Sequence, residues 1–435
     1  MPLTPLLRWF SRRLVLCVTA AAFAGACKGQ ANRIDVVTPY APELASYGRY
    51  DVGVRTLQVT DPNRIDILAT KEGAAAARYD RTLTLEAWYP ASLASGQTPG
   101  GDYAVQTRDP AVTAVLHGRA VRDAAPLKVA GGFPLVILSH GYPGNRYLMS
   151  YLGENLSSKG FVVVSIDHRD STYGDLRNFS STLYNRPLDQ RFVLNAVAGL
   201  GRPDSGSFLS GVVDVSRTGL VGYSMGGYGV VNTVGGGLSK ASASFQGAPP
   251  NHLLADHGAD NPDYQKRIDP RIKAAIAVAP WGRQVGIWDA EGLKGITVPI
   301  LFVAGSLDST AGYEKGIRQL FKDAVNADRY LVTFVNAGHN AAAPMPAPVE
   351  TYAYSEAIKE APFVHYADPV WDTVRMNNIL THFATAFFDL HLRGEADKQA
   401  YLDLGPGAGE KDPAWKGFKP KMAAGLVFEH AGAAK

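Results

Sequence analysis

The fold of this 435-residue chain is decided by one short stretch, Gly222-Tyr223-Ser224-Met225-Gly226-Gly227. An apolar run at 218–221 precedes it, and residues 228–234 have the composition of a helix. A strand, a Gly-x-Ser-x-Gly turn and a helix in this order are typical of a nucleophile elbow, a strained turn that raises the serine hydroxyl above a sheet. The glycines lack the side chains that would hold strand and helix apart. A glycine-rich turn without chemistry is the alternative.

Two further side chains occur where such a serine would need partners. Asp308 follows an apolar run at 298–304, and His339 follows one at 330–335. Strands of an open α/β sheet bring such carboxyl-end residues to one edge. An imidazole can take a serine proton near neutral pH, and a carboxylate on its other nitrogen fixes the tautomer. Singly, Asp308 could be a helix cap and His339 a surface-loop residue. The order Ser224, Asp308, His339 favours a catalytic triad.

A second glycine-rich turn, His140-Gly141-Tyr142-Pro143-Gly144, follows the apolar run at 133–139. A turn in this place can supply one of two backbone N–H groups that stabilise a negatively charged carbonyl oxygen. We assign the N–H groups of Tyr142 and Met225 to this oxyanion hole. We expect His140 to brace the turn rather than to act as a base. A tight strand-end turn without this role is the alternative.

The amino-terminal residues differ from the rest of the chain. Arg12-Arg13 precede an apolar segment that ends in the small residues Ala24-Gly25-Ala26, a pattern typical of a secretory signal peptide over residues 1–26. The arginine pair resembles a twin-arginine export signal. Cys27 fits the acylation site of a lipoprotein, and an incidental cysteine after a plain leader stays open. The sequence therefore predicts a secreted or periplasmic protein with a candidate lipid anchor at Cys27.

Charge and cysteine content limit the function classes. The chain has 43 basic and 40 acidic residues, and removal of residues 1–26 takes away three arginines and leaves the two signs equal. A neutral protein gives no electrostatic basis for binding nucleic acid. Cys17 and Cys27 are the only cysteines in the sequence, so no disulfide can form within the mature chain. We expect a monomer that needs neither a metal nor an organic cofactor.

Apolar runs alternate with helical segments along most of the chain. This alternation predicts a mostly parallel, doubly wound α/β sheet. We expect a single catalytic domain over residues 27–435, with loop insertions near 92–132, 168–185, 235–270 and 340–370. We expect Pro90 to end a strand that begins at Thr82, and we expect a helix over 186–199 with Pro187 in its first turn. The strand at 330–335 should be the last one.

Two groups of polar residues contain side chains that could bind a metal ion. Asp167-His168-Arg169-Asp170 follows a buried strand, and its mixed charges favour a salt-bridge network over a metal site. His252 and His257 are five residues apart and miss the i, i+4 spacing of helical ligand pairs. We therefore predict no metal site.

With these residues in place, the chain resembles serine α/β-hydrolases of the platelet-activating-factor acetylhydrolase-like group. It is more loosely similar to dienelactone hydrolases and to cutinase-type polyester hydrolases. The matching pieces are residues 85–90, 134–146, 162–170, 222–227, 298–308 and 338–339. The resemblance implies the α/β-hydrolase fold and a carboxylic-ester hydrolase that acts through an acyl-enzyme on Ser224. It also implies that Tyr142 and Trp281 flank the acyl group as aromatic walls.

Two departures from these families bear on the substrate. The elbow holds serine where dienelactone hydrolases use cysteine, and the disulfide near the active site of polyester hydrolases is absent. We expect a small-molecule or lipid ester as substrate, with Ser224 as nucleophile, His339 as general base and then acid, and Asp308 orienting it. A lipase or cutinase-like polyester hydrolase is the alternative among enzymes. A non-catalytic binding protein on a hydrolase fold is the alternative outside them.

Overall fold

The computed structural model describes residues 31–405 and 415–434. The predicted signal peptide at 1–26 and Cys27 lie outside these ranges. The strands are β1 (Asp51–Ile65), β2 (Arg78–Ser92), β3 (Gly101–Gln106), β4 (Thr113–Gly118), β5 (Val121–Arg122), β6 (Ala125–Pro126), β7 (Phe133–Ser139), β8 (Val162–Asp167), β9 (Val213–Tyr223), β10 (Ile272–Val278), β11 (Ile300–Gly305), β12 (Arg329–Phe334) and β13 (Leu426–Ala431). The α-helices are α1 (Ser150–Ser158), α2 (Phe179–Gly201), α3 (Met225–Thr233), α4 (Pro262–Gln265), α5 (Ala290–Leu293), α6 (Arg318–Asp323) and α7 (Thr373–Arg393).

Six neighbouring strands of the main sheet are parallel, in the order β12-β11-β10-β9-β7-β8. Most of their residues are buried, including all of β7 and the last six residues of β9, as expected for strands covered on both faces by helices. Strand β7 pairs with β8 on one side and with β9 on the other, so the chain reverses its progress across the sheet there. Ligands of open α/β sheets bind beyond the carboxyl ends of strands at such a point. The loops that follow β7 and β9 meet at this place.

The strands that flank this parallel group on its two sides pair with it in antiparallel fashion. Strand β2 pairs in this way with β8 and β1, and β13 pairs with β12. The prediction that the strand at 330–335 is the last one is therefore wrong, because β13 follows it. The prediction that Pro90 ends its strand is also wrong. Pairing of β2 with β8 stops at Trp88, and Pro90 lies opposite Val52 of β1, so its missing N–H interrupts no bond to β8.

Helix α2 begins at Phe179, well before the predicted start. Asn178 caps it, because its side-chain oxygen accepts a backbone N–H of the first turn at 3.0 Å. Pro187 lies inside the helix and not in its first turn, so it leaves the carbonyl of Leu183 without its helical partner. That carbonyl accepts the hydroxyl of Tyr228 at 2.8 Å instead. The substitute bond explains how the helix continues through a proline.

The predicted insertions take different forms. Residues 92–132 contain the two-stranded antiparallel sheet of β3 and β4, where only a connection was expected. The segment 168–185 is shortened by the early start of α2. The segments 235–270 and 340–370 consist of loops, isolated bridges and short helical turns. Within the described part of the chain, no helix combines the length and apolar character needed to cross a membrane.

Candidate active site

The turn after β9 has the geometry of a nucleophile elbow. Ser224 has a φ of 52° and a ψ of −113°, which residues other than glycine rarely adopt. A Cβ on Gly222 would lie 2.2 Å from the carbonyl oxygen of Gly226, and a Cβ on Gly226 would lie 1.9 Å from the carbonyl oxygen of Ser139. A side chain at either glycine would push α3 away from the sheet. The glycines therefore allow Ser224 to stand at the start of α3, where it is 8% exposed.

The structure brings Ser224, Asp308 and His339 together at this turn. His339 Nε2 lies 2.9 Å from Ser224 Oγ, and His339 Nδ1 lies 2.8 Å from Asp308 Oδ2. The other carboxylate oxygen of Asp308 accepts the N–H groups of Thr310 and Ala311, both at 2.8 Å. Asp308 thus also caps the turn that follows it, and these bonds aim its free oxygen at the imidazole. In this arrangement Nδ1–H donates to the carboxylate, which leaves Nε2 free to accept the serine proton.

The two N–H groups assigned to the oxyanion hole lie at the start of α3 and in the turn after β7. Met225 is the first residue of α3, where a backbone N–H has no partner within the helix. Tyr142 belongs to the turn that follows β7. Within residues 31–405 and 415–434, neither N–H donates to a protein acceptor. Both are therefore available to a substrate oxygen, and the positive end of α3 favours negative charge there.

Two buried side chains fix the peptide that carries the Tyr142 N–H. The Gly141 carbonyl lies 2.7 Å from His140 Nδ1 and accepts a second bond, at 3.2 Å, from Arg186 of α2. His140 Nε2 accepts the N–H of His168 at 3.1 Å, so the imidazole braces the turn. The Gly141 carbonyl and the Tyr142 N–H share one planar trans peptide and point in opposite directions. Because the carbonyl is held inward, the N–H faces the other way. Burial lowers the pKa of Arg186 to about 9, which keeps it charged at neutral pH.

The polar segment 167–170 joins a buried network of ion pairs. Arg81 binds Asp170 at 2.9 Å and Asp189 at 2.8 Å, and His168 Nδ1 lies 3.0 Å from Asp189 Oδ2. Burial raises the pKa of Asp189, but the charge of Arg81 and the hydrogen bond from His168 outweigh burial and hold that pKa well below its usual range. In the part of the chain that the structure describes, no three acidic, histidine or cysteine side chains are grouped so as to hold a metal ion.

This network contains a second Ser–His–Asp arrangement. Ser139 Oγ lies 2.8 Å from His168 Nε2, and His168 bonds Asp189 through its other nitrogen. The three residues are between 0% and 1% exposed, so a substrate has no access to this serine. Similar distances thus occur at both serines, and exposure distinguishes them, because Ser224 is 8% exposed and Ser139 is 0% exposed.

Burial keeps four histidines uncharged, because it lowers the pKa of each to about 3: His168, His257, His365 and His382. We refer to them as the four buried histidines. His257 Nε2 bonds the carbonyl of Tyr184 at 2.9 Å, whereas His252 is exposed and its Nδ1 lies 3.4 Å from the carbonyl of Ala243. The structure therefore does not join His252 and His257 in one site.

Trp281 lies beside Ser224. Its backbone N–H donates to the carbonyl of Ser224 at 3.3 Å. Its ring does not face Tyr142 across an open gap, because the ring of Phe179 lies between them, with centroids 5.0 Å from Tyr142 and 5.2 Å from Trp281. The rings of the two residues named by the resemblance are thus connected through the ring of Phe179.

Sequence reasoning missed three residues of this region, all on α2: Phe179, Arg186 and Asp189. Arg186 and Asp189 are three positions apart and therefore share one helix face. Two opposite charges on a face that packs against apolar strands would have indicated a buried network. Phe179 carries no such signal, because a lone aromatic residue after a cap is compatible with any surface loop.

The fold and the site define an α/β-hydrolase with a hydrogen-bonded Ser–His–Asp group. A solved structure, the ferulic acid esterase from Streptomyces cinnamoneus, matches with a TM-score of 0.53 and 22% sequence identity, over 82% of this chain and 94% of that chain. This likeness shows the fold, and the predicted α/β-hydrolase class is confirmed.

Comparisons of sequence point to the same superfamily. The family model for platelet-activating factor acetylhydrolase, isoform II, matches residues 110–179. Cutinase est1 of Thermobifida alba is 28% identical over 176 residues, 40% of this chain and 43% of the relative. The platelet-activating factor acetylhydrolase of Cavia porcellus is 27% identical over 234 residues, 46% of each chain. The chain thus spans less than half the length of either relative. The matches confirm the resemblance to serine esterases of the α/β-hydrolase superfamily.

Proposed function

We propose that this chain is a serine esterase that hydrolyses carboxylic esters through an acyl-enzyme on Ser224. The observation that carries the proposal is the pair of contacts at the elbow, 2.9 Å from Ser224 to His339 and 2.8 Å from His339 to Asp308. The relatives, named as cutinases, an acetylhydrolase and a ferulic acid esterase, support the same reaction class.

The reaction runs in two halves that use the same groups. Ser224 Oγ attacks the ester carbonyl carbon while His339 Nε2 takes the serine proton, and the N–H groups of Tyr142 and Met225 hold the oxyanion. His339 then gives that proton to the leaving alcohol, and the acyl group stays on the serine. Water then attacks the acyl carbon while His339 takes a proton from the water, and His339 returns this proton to Ser224 Oγ as the carboxylic acid leaves. Asp308 stabilises the imidazolium in both halves.

The substrate class we propose is an ester with a short acyl group. A cutinase-like polyester hydrolase is the second candidate, and the similarity to Cutinase est1 favours it. Hydrolysis of p-nitrophenyl esters with acyl chains of two to sixteen carbons distinguishes the two. A maximum at two to four carbons supports the small-ester proposal, and a maximum at longer chains together with release of soluble products from a polyester film supports the second candidate. No turnover of any ester would favour a binding protein and overturn both.

We propose further that the protein is exported as a monomer and processed near residue 26. The charged start, the apolar segment and the small residues before Cys27 support this proposal. Fractionation of a bacterial host that produces the full chain, followed by amino-terminal sequencing, tests it. Movement of the protein from the membrane to the soluble fraction on Cys27→Ala would support a lipid anchor, and an unchanged distribution would contradict it.

A further inference from the structure

Four half-buried aromatic rings form a row beside Ser224: Tyr142, Phe179, Trp281 and Phe245. Successive ring centroids are 5.0, 5.2 and 5.9 Å apart, with interplanar angles of 75°, 86° and 75°. These are edge-to-face contacts of ordinary length. The rings come from four separate parts of the chain, namely the loop after β7, the start of α2, the loop after β10 and the insertion at 235–270. Tertiary structure alone therefore assembles the row.

The ring of Phe179 has a fixed place in this row. The cap at Asn178 sets the start of α2, and the hydroxyl of Tyr142 donates to the carbonyl of Arg177 at 2.5 Å. On the other side, the backbone N–H of Trp281 donates to the carbonyl of Ser224. Each neighbour of Phe179 thus has one hydrogen bond that fixes its position, and the phenyl ring contacts both.

The row borders the side of the site that the acyl group must use. His339 gives its proton to the leaving alcohol, so the alcohol lies next to the imidazole, whose ring packs against Tyr223 at 5.2 Å. The acyl group extends away from His339. The N–H of Tyr142 faces the carbonyl oxygen of the ester, so the side chain of the same residue stands next to the bound carbonyl.

The space between Tyr142 and Trp281 is already filled. Their centroids are no more than about 10 Å apart, since each lies about 5 Å from Phe179. Edge-to-face ring pairs have centroids roughly 4.5–7 Å apart, so two such contacts to one ring account for this whole distance. The ring of Phe179 makes both contacts and leaves no width for a second ring. An aromatic acyl group cannot enter while the phenyl ring is present.

Resting on the proposed esterase function, we propose that Phe179 is a specificity-determining residue that fills the slot between Tyr142 and Trp281 and excludes aromatic acyl groups. Its removal should create a pocket for one planar ring next to the acyl carbon. The substrate class of the native enzyme is then the esters of short, non-aromatic acids.

The test compares kcat/KM for p-nitrophenyl benzoate and p-nitrophenyl acetate in the wild type, Phe179→Ala and Phe179→Tyr. The benzoate-to-acetate ratio should rise at least tenfold in Phe179→Ala, because a ring-sized space opens beside the acyl carbon. It should stay within threefold of the wild type in Phe179→Tyr, which keeps a ring in the slot. Phe245→Ala is the matched control, since its ring contacts Trp281 from the far side, and its ratio should also stay within threefold.

An unchanged ratio in a folded Phe179→Ala variant overturns the proposal, and so does an equal rise in Phe245→Ala. If Phe179→Ala does not fold, the benzoate-to-acetate ratio is measured in Phe179→Leu. The ratio should rise there too, because leucine fills less of the slot between Tyr142 and Trp281 than phenylalanine does. If the wild type hydrolyses the acetate ester but the ratios do not change in the variants, the role of Phe179 is contradicted and the proposed esterase function is not. Wild-type protein that hydrolyses no ester contradicts the proposed function and this proposal with it.

Discussion

Replacement of Gly226 by alanine tests the close approach of α3 to the sheet. The new Cβ would lie 1.9 Å from the carbonyl oxygen of Ser139, whereas an ordinary contact begins near 3.4 Å. The start of α3 must therefore retreat by about 1.5 Å, and the N–H of Met225 moves with it. Because a misplacement of about 1 Å can cost roughly 100-fold in rate, we expect kcat to fall by about 100-fold or more. Overpacking should also lower the free energy of unfolding by about 1–3 kcal/mol.

The assay is hydrolysis of p-nitrophenyl acetate together with urea unfolding of the same preparations. Gly199→Ala is the matched control, since Gly199 lies in α2 and a Cβ there meets no atom within 4 Å. That variant should keep its kcat and gain about 0.5–1 kcal/mol in free energy of unfolding, because alanine favours helix. A Gly226→Ala variant with kcat within threefold of the wild type and an unchanged unfolding midpoint would refute the reasoning.

Three other perturbations have expected outcomes. Asp308→Asn should lower kcat about 10⁴-fold without loss of folded protein, because the imidazole loses the partner that sets its tautomer; a loss below tenfold contradicts this. Arg186→Met should lower kcat by roughly 10²–10³-fold, because loss of an oxyanion donor has a cost of this size, and KM should change less. Arg186→Lys should recover part of the activity. If both variants are as active as the wild type, Arg186 does not position Tyr142. The four buried histidines, with pKa values of about 3 in the fold and 6.5 as the ordinary value, take up protons only on unfolding. Their contribution to stability is therefore complete above about pH 6.5 and is lost as the pH falls from there toward 3. The free energy of unfolding should drop by about 6 kcal/mol between pH 8 and pH 5.5, roughly 1.4 kcal/mol for each ring, and a flat profile argues against neutral burial.

The site could be predicted from the sequence where a local pattern and the chain order agree. The residues that form the elbow at Ser224 are contiguous in the sequence and can be recognised as a motif. Asp308 and His339 each follow an apolar run that forms a parallel strand in the structure. Parallel strands place their carboxyl ends at one edge, so chain order alone brings the three groups near each other. Sequence patterns do not give the orientation of the loops that carry these side chains. The structure does, in the distances of 2.8 Å from His339 to Asp308 and 2.9 Å from His339 to Ser224.

The parts that sequence could not supply depend on tertiary partners. Pro187 indicates a helix start by local rules, but the hydroxyl of Tyr228 satisfies the carbonyl that the proline leaves free, so the helix runs through it. Strand β13 is short, follows a long helix and exists because β12 offers it an edge. Phe179 acquires its place from two rings that lie far from it in the chain.

The central claim is that Ser224 is the nucleophile, and replacement by alanine tests it most directly. Ser139 provides the matched control, because it also bonds a histidine that bonds an aspartate, yet it is fully buried. With p-nitrophenyl acetate, Ser224→Ala should lower kcat by about 10⁴–10⁶-fold, as loss of a catalytic nucleophile does, while Ser139→Ala should keep at least a tenth of the activity. Ser224→Ala with kcat within tenfold of the wild type, or a fall in Ser139→Ala as deep as in Ser224→Ala, would contradict the account.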